Sequence, residues 1–134
     1  MLFRDRITLP GWSIERDAMR IVSFGDARER AIEDYESIAA TAVPIASGRG
    51  ATRVYRVRFA PGGRIGRHVA GFPQLFLIVE GSGWATGGDG LRVDLLAGQG
   101  AVFDKGESHE KGSDEGATAI KIQIEDLELD HAAG

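Results

Sequence analysis

His68, Gln74 and His109 are the residues of this 134-residue chain whose types and placement could carry chemistry. Imidazole exchanges protons near neutral pH and is the commonest side-chain ligand of divalent transition metals. An amide offers a donor end and an acceptor end to a bound molecule. His68 and Gln74 lie in the stretch Pro61 to Gly81, PGGRIGRHVAGFPQLFLIVEG. It opens on a Pro-Gly-Gly turn, becomes wholly apolar at LFLIV and closes on Glu80-Gly81. A polar pair beside a buried strand suits a ligand site inside a β-barrel. Phe76 and Ile78 share the strand parity of Gln74 and should point inward with it, as plain core or as pocket wall. His68 and His109 have two readings at this point: hydrogen-bonded leftovers in a barrel that binds nothing, or general acid and base. Tyr55 is a further candidate substrate contact. Lys111 shares the parity of His109 and could reach a cavity mouth, although a solvated surface lysine is the plainer reading. Arg64 and Arg67 flank His68, as ordinary surface charge or as attractors of an anion. Trp84 reads as packing, and His131 as exposed.

The elements that would position these residues are strands. In TRVYRVRF, Tyr55, Val57 and Phe59 alternate with Arg56 and Arg58, the period of a half-buried strand. Ile65 to Ala70 is a short strand carrying His68, and Gln74 to Glu80 is a strand buried on both faces. Gly81-Ser82-Gly83 and Gly87-Gly88-Asp89-Gly90 mark turns. Leu91 to Leu96 and Thr118 to Ile124 alternate again. Short strands between frequent turns, with 19 glycines against 4 prolines, point to an all-β sandwich or barrel. Residues 1–50 read as an extension packing on the barrel, with short strands in RITLPGW and MRIVSF. A short helix is expected over 26–37, where Asp26 and Glu29 have capping-box spacing. Residues 51–124 form the barrel core, and 125–134 an acidic tail expected to fray.

Composition removes several function classes. There is no cysteine, which excludes a disulfide framework, a thiolate zinc site and a cysteine nucleophile. That fits a cytoplasmic location, as does an N-terminus with charges where a signal peptide needs an apolar run. No apolar run is long enough for a spanning helix, so no membrane partner is expected. The formal charge is −4 with no basic block, which makes nucleic acid a poor partner. No nucleotide cofactor is expected. The apolarity of LFLIV suggests a homodimer that covers it.

The spacing of glycines and histidines over residues 51–124 resembles the cupin superfamily. The first cupin motif, G-x5-H-x-H-x3-4-E-x6-G, is met by Gly62 or Gly63, His68 and Gly81. Ala70 stands at its second histidine, and Gln74 at its glutamate. The second motif, G-x5-P-x-G-x2-H-x3-N, is met by Gly98, Gly106 and His109. Asp104 stands at its proline, and Ser113 at its asparagine. The resemblance implies an antiparallel jelly-roll barrel that binds a small organic molecule in its cavity. It also implies a divalent metal (iron, nickel, zinc or manganese) held by three histidines and a glutamate. With Ala70 and Gln74 in place, only His68, Gln74 and His109 remain as ligands, and no negative charge offsets the metal. Three functions follow. The first is a dioxygenase, lyase or isomerase with a weakened metal. The second is a metal-free isomerase or cyclase using His68 and His109 as acid and base. The third is a non-catalytic module that binds or senses a small molecule.

Overall fold

The computed structural model describes residues 6–9, 12–15 and 19–130, and gives only backbone pairing for the first two segments. Twelve strands follow in order: β1 (Arg6–Leu9), β2 (Trp12–Glu15), β3 (Arg20–Ser23), β4 (Arg30–Ala31), β5 (Thr41–Ala42), β6 (Ala46–Phe59), β7 (Arg64–Val69), β8 (Gln74–Thr86), β9 (Arg92–Leu96), β10 (Gln99–Phe103), β11 (Ser108–Gly112) and β12 (Ala117–Leu129). All described pairings are antiparallel, and the architecture is the expected jelly roll.

The long strand β8 belongs to both layers. Its first half lies between β10 and β12, with β3 beyond β10 and β6 beyond β12. Its second half lies between β9 and β11, with β7 beyond β11. The strand changes layer at Gly81, whose φ of 76° favours glycine. A Cβ there would stand 2.3 Å from the carbonyl oxygen of Gly116.

From Leu75 to Ile78 the apolar run of β8 is buried on both faces. Phe76 and Ile78 point into the barrel and pack with Phe59, Ala85, Leu95, Phe103 and Ala119. Leu75 and Leu77 point outward, where Val22, Val102 and Leu127 cover them, with Phe24 and Ile45 alongside. On the outward side of LFLIV the chain itself thus covers Leu75 and Leu77, whereas Val79 is 45% exposed.

Two expectations change. The helix over 26–37 does not form: a single 3-10 turn spans Asp26–Arg28, and extended backbone follows. The residues of its intended apolar face, Ala31, Ile32 and Tyr35, are all exposed. An isolated helix of that length is marginal in water. The acidic tail does not fray through Leu129: it continues β12, pairs with the start of β6 and buries Leu127. His131 and the turn at residues 10 and 11 lie outside the described residues. Among the described residues no helix is long and apolar enough to cross a membrane.

Candidate functional site

His68 on β7 and His109 on β11 are direct cross-strand partners, so their side chains leave the same face of the sheet. The register slips next to them: His109 faces His68, but Lys111 faces Ile65. The extra residue lies on β7, between Ile65 and His68. Such bulges bend a strand and re-aim the side chains beside them. Tight packing keeps the two strands close, for a Cβ at Gly112 would meet the Gly63 carbonyl oxygen at 2.5 Å.

The two imidazoles meet edge to face, with ring centroids 4.6 Å apart and their Nε2 atoms at 3.1 Å. His68 Nδ1 stands 2.7 Å from the carbonyl oxygen of Gly66. A carbonyl only accepts, so that nitrogen carries a proton. Neutral His68 then offers the lone pair of Nε2 to the N–H of His109. Charged His68 donates in the other direction. His68 is exposed, whereas His109 is fully buried against Phe103. Burial, followed by the positive charges of Lys111, His68, Lys121 and Arg67, lowers the His109 pKa to about 3. His109 is therefore neutral at physiological pH.

For Lys111 the plainer of the two sequence readings fails, and the inward one that its parity with His109 suggested stands. Lys111 is 1% exposed, not a solvated surface lysine. Its Nζ donates a short hydrogen bond to Gln74 Oε1 and stands 3.4 Å from His109 Nε2. It lies over the rings of Phe76 and Phe103, at 5.5 and 5.1 Å from their centroids. Burial, with help from Lys121, lowers its pKa to about 7. The result is a chain of polar groups running from Gln74 through Lys111 and His109 to His68 and solvent.

The other expected residues divide. Gln74 and Phe76 join this cluster. Ile78 belongs to the barrel core behind it. Tyr55 is 42% exposed and stands at the rim, in register with Lys121, whose Nζ lies 4.5 Å over its ring. Lys121 is also in register with Phe76, so Tyr55, Lys121 and Phe76 form one inward row. Lys121 escaped the sequence reading because the isoleucines of β12 dominate its pattern. The signal was in the other parity: Ala117 and Ala119 are small and buried, and Lys121 and Gln123 continue their side. Arg67 is tied to Thr86 Oγ1, Ser108 Oγ and the Gly87 carbonyl, and Arg64 pairs with Glu110 at 3.4 Å. Trp84 packs under Arg92. Ser113 accepts a hydrogen bond from Gly116 N and so closes a turn. A hollow of about 450 Å³ lies elsewhere, lined by Ser47, Gly48, Arg49, Asp126, Leu127 and Glu128, and holds none of this chemistry.

Neither a family model nor a curated protein matches the chain by sequence. Solved structures do match it. A cupin superfamily protein from Desulfitobacterium hafniense is 17% identical with a TM-score of 0.53, over 80% of this chain and 99% of that one. A cupin-like protein from Thermotoga maritima is 23% identical with a TM-score of 0.53, over 58% and 63%. This chain has a cupin fold. A conserved Streptococcus pyogenes protein of unknown function also shares this fold, at 17% identity and a TM-score of 0.53, over 93% and 96%.

The donors at this site fit a divalent metal poorly. The separation of the two Nε2 atoms alone would suit two ligands of one ion, since zinc–nitrogen bonds are about 2.0–2.1 Å. The surrounding groups do not suit it. A ligating histidine donates its other N–H to an acceptor. His68 has one in Gly66, but His109 Nδ1 is buried with no hydrogen-bond partner. Gln74 Oε1 is engaged by Lys111, an amine standing between two of the three expected ligands. Among the described residues no three histidine or carboxylate side chains form a metal cluster.

Proposed function

We propose that this protein binds a small organic molecule at the histidine end of its barrel and transforms it without a metal, by acid–base chemistry of the isomerase or cyclase type. The observation that carries this reading is the position of Lys111 Nζ, hydrogen-bonded to Gln74 and beside His109 where a metal's ligands would converge. The roles follow from burial. Exposed His68 exchanges protons with the bound molecule and with solvent. Buried His109 stays neutral, and its hydrogen bond fixes the orientation of the His68 ring. Lys111, with a pKa of about 7, is poised to take or give a proton at neutral pH. Gln74 holds the amine in place, and Tyr55 lines the entrance.

Metal analysis of untagged protein tests this reading, together with thermal melts in iron(II), nickel, zinc and manganese. The expected result is no stoichiometric metal after dialysis and no rise in melting temperature. Stoichiometric metal that disappears in both His68→Ala and His109→Ala would overturn it. Catalysis is tested by deuterium exchange from solvent into candidate carbonyl compounds, followed by NMR. Exchange should be lost in folded His68→Ala, and no exchange or turnover with any compound would leave a binding module.

A further inference from the structure

The charges that act on His109 share one sign. Lys111, Lys121, Arg67 and His68 all act on His109, and each of them disfavours its protonation. None of these five residues is hydrogen-bonded to or ion-paired with a carboxylate among the described residues. The partners of Arg67 are a carbonyl and two hydroxyls, and the oxygen on Lys111 is a neutral amide. A buried amine is costly to charge without an opposite charge nearby, and the half-buried Lys121, of the same sign, raises that cost for Lys111. Lys111 and Lys121 also share a neighbourhood: one lies over the Phe76 ring, and the other is the cross-strand partner of Phe76. A molecule entering past Tyr55 therefore meets basic groups on the floor and the wall.

We propose that the ligand is a small organic acid whose carboxylate sits between Lys111 and Lys121, with its body against Tyr55 and His68. This rests on the placement of the ligand site given above and names its substrate class. A carboxylate suits the groups better than a phosphate does. Two ammonium groups can bridge its two oxygens, whereas phosphate sites add a cradle of backbone N–H groups. The strands here spend their N–H groups on the ladders.

The experiment measures binding of acetate, pyruvate, malonate and benzoate, each beside its neutral amide, by calorimetry at constant ionic strength. Binding of at least one acid is expected, with its amide weaker by about tenfold or more. Lys121→Gln and Lys111→Met should each weaken the acid by a similar factor while leaving the amide unchanged. Arg56→Gln, the same charge change on the other parity of β6, should have no effect. Lys111→Met removes a buried amine and keeps the volume, so it should fold. The proposal is overturned if none of the acids binds, if amides bind equally well, if inorganic phosphate binds more tightly than every acid, or if the lysine variants bind unchanged. Acid binding that needs both lysines in a protein that turns nothing over would sustain the carboxylate site and sink the catalytic reading. Acid binding that appears only with added metal would overturn the metal-free reading.

Discussion

Lys111 shows how much one side chain can change a site. The spacing of His68 and His109 predicted that they would meet, and they do, at 3.1 Å. The parity that Lys111 shares with His109 allowed it to turn inward beside them, but spacing could not show that it is buried there and not solvated. Its burial has a measurable consequence. The folded chain releases the Lys111 proton near pH 7, whereas an unfolded lysine keeps it to about 10.5. Between those values the unfolded state binds more protons, so this residue makes stability rise with pH. The rise amounts to at most about 5 kcal/mol, at about 1.4 kcal/mol per pKa unit. Urea midpoints across that window should climb in the parent relative to Lys111→Met, which lacks the group. Parallel pH curves would mean that Lys111 is not buried as described. His109 acts in the same direction at lower pH. Its folded pKa of about 3 lies below the ordinary 6.5, so stability is lost as pH falls from 6.5 toward 3. His109→Gln should flatten that part of the curve in the same urea titrations.

At the scale of elements, period-two alternation made β6, β9 and β12 legible, and the continuous apolar run marked the first half of β8 as buried on both faces. What covers its outer face was not legible, because the covering residues are far away in sequence. Val22 comes from β3, and Leu127 from a segment that reads as a solvated acidic tail. In β12 the parity flips across a register shift near Glu125, which puts Leu127 and Leu129 in the same cluster as Ile122 and Ile124. Leu127 is 2% exposed, so Leu127→Ala should destabilise the fold by about 2–5 kcal/mol, as buried leucine truncations do. A denaturant melt measures this, and a loss below about 0.5 kcal/mol would show that the tail is dispensable. The helix expected over 26–37 failed for the opposite reason. Its caps and spacing were adequate, but no partner surface receives Ile32 and Tyr35. Capping spacing indicates where a helix could start, and tertiary packing decides whether it exists.

For the molecule as a whole, the sign of the charge depends on place. The chain carries −4 overall, yet the groups around His109 are basic. Acidic residues collect at the far end of β12, where Glu125 accepts from Ala51 N and Asp126 and Glu128 line a hollow with Arg49. Net charge, which is all that composition reveals, therefore has the wrong sign for the site. An anion approaching the molecule is repelled at long range and attracted close to Lys121 and Arg67. Salt screens both effects beyond about 10 Å at 0.1 M and screens a buried amine much less. Carboxylate affinity should therefore fall only modestly, by less than about tenfold, between 0.05 and 0.5 M sodium chloride. The part that does fall belongs to the rim. Lys121→Gln should flatten the salt dependence, and Lys111→Met should weaken binding while leaving that dependence as it is. Calorimetric titrations at several salt concentrations separate the two. Equal slopes in all three proteins would show that the attraction comes from the field of the whole surface and not from Lys121 at the rim.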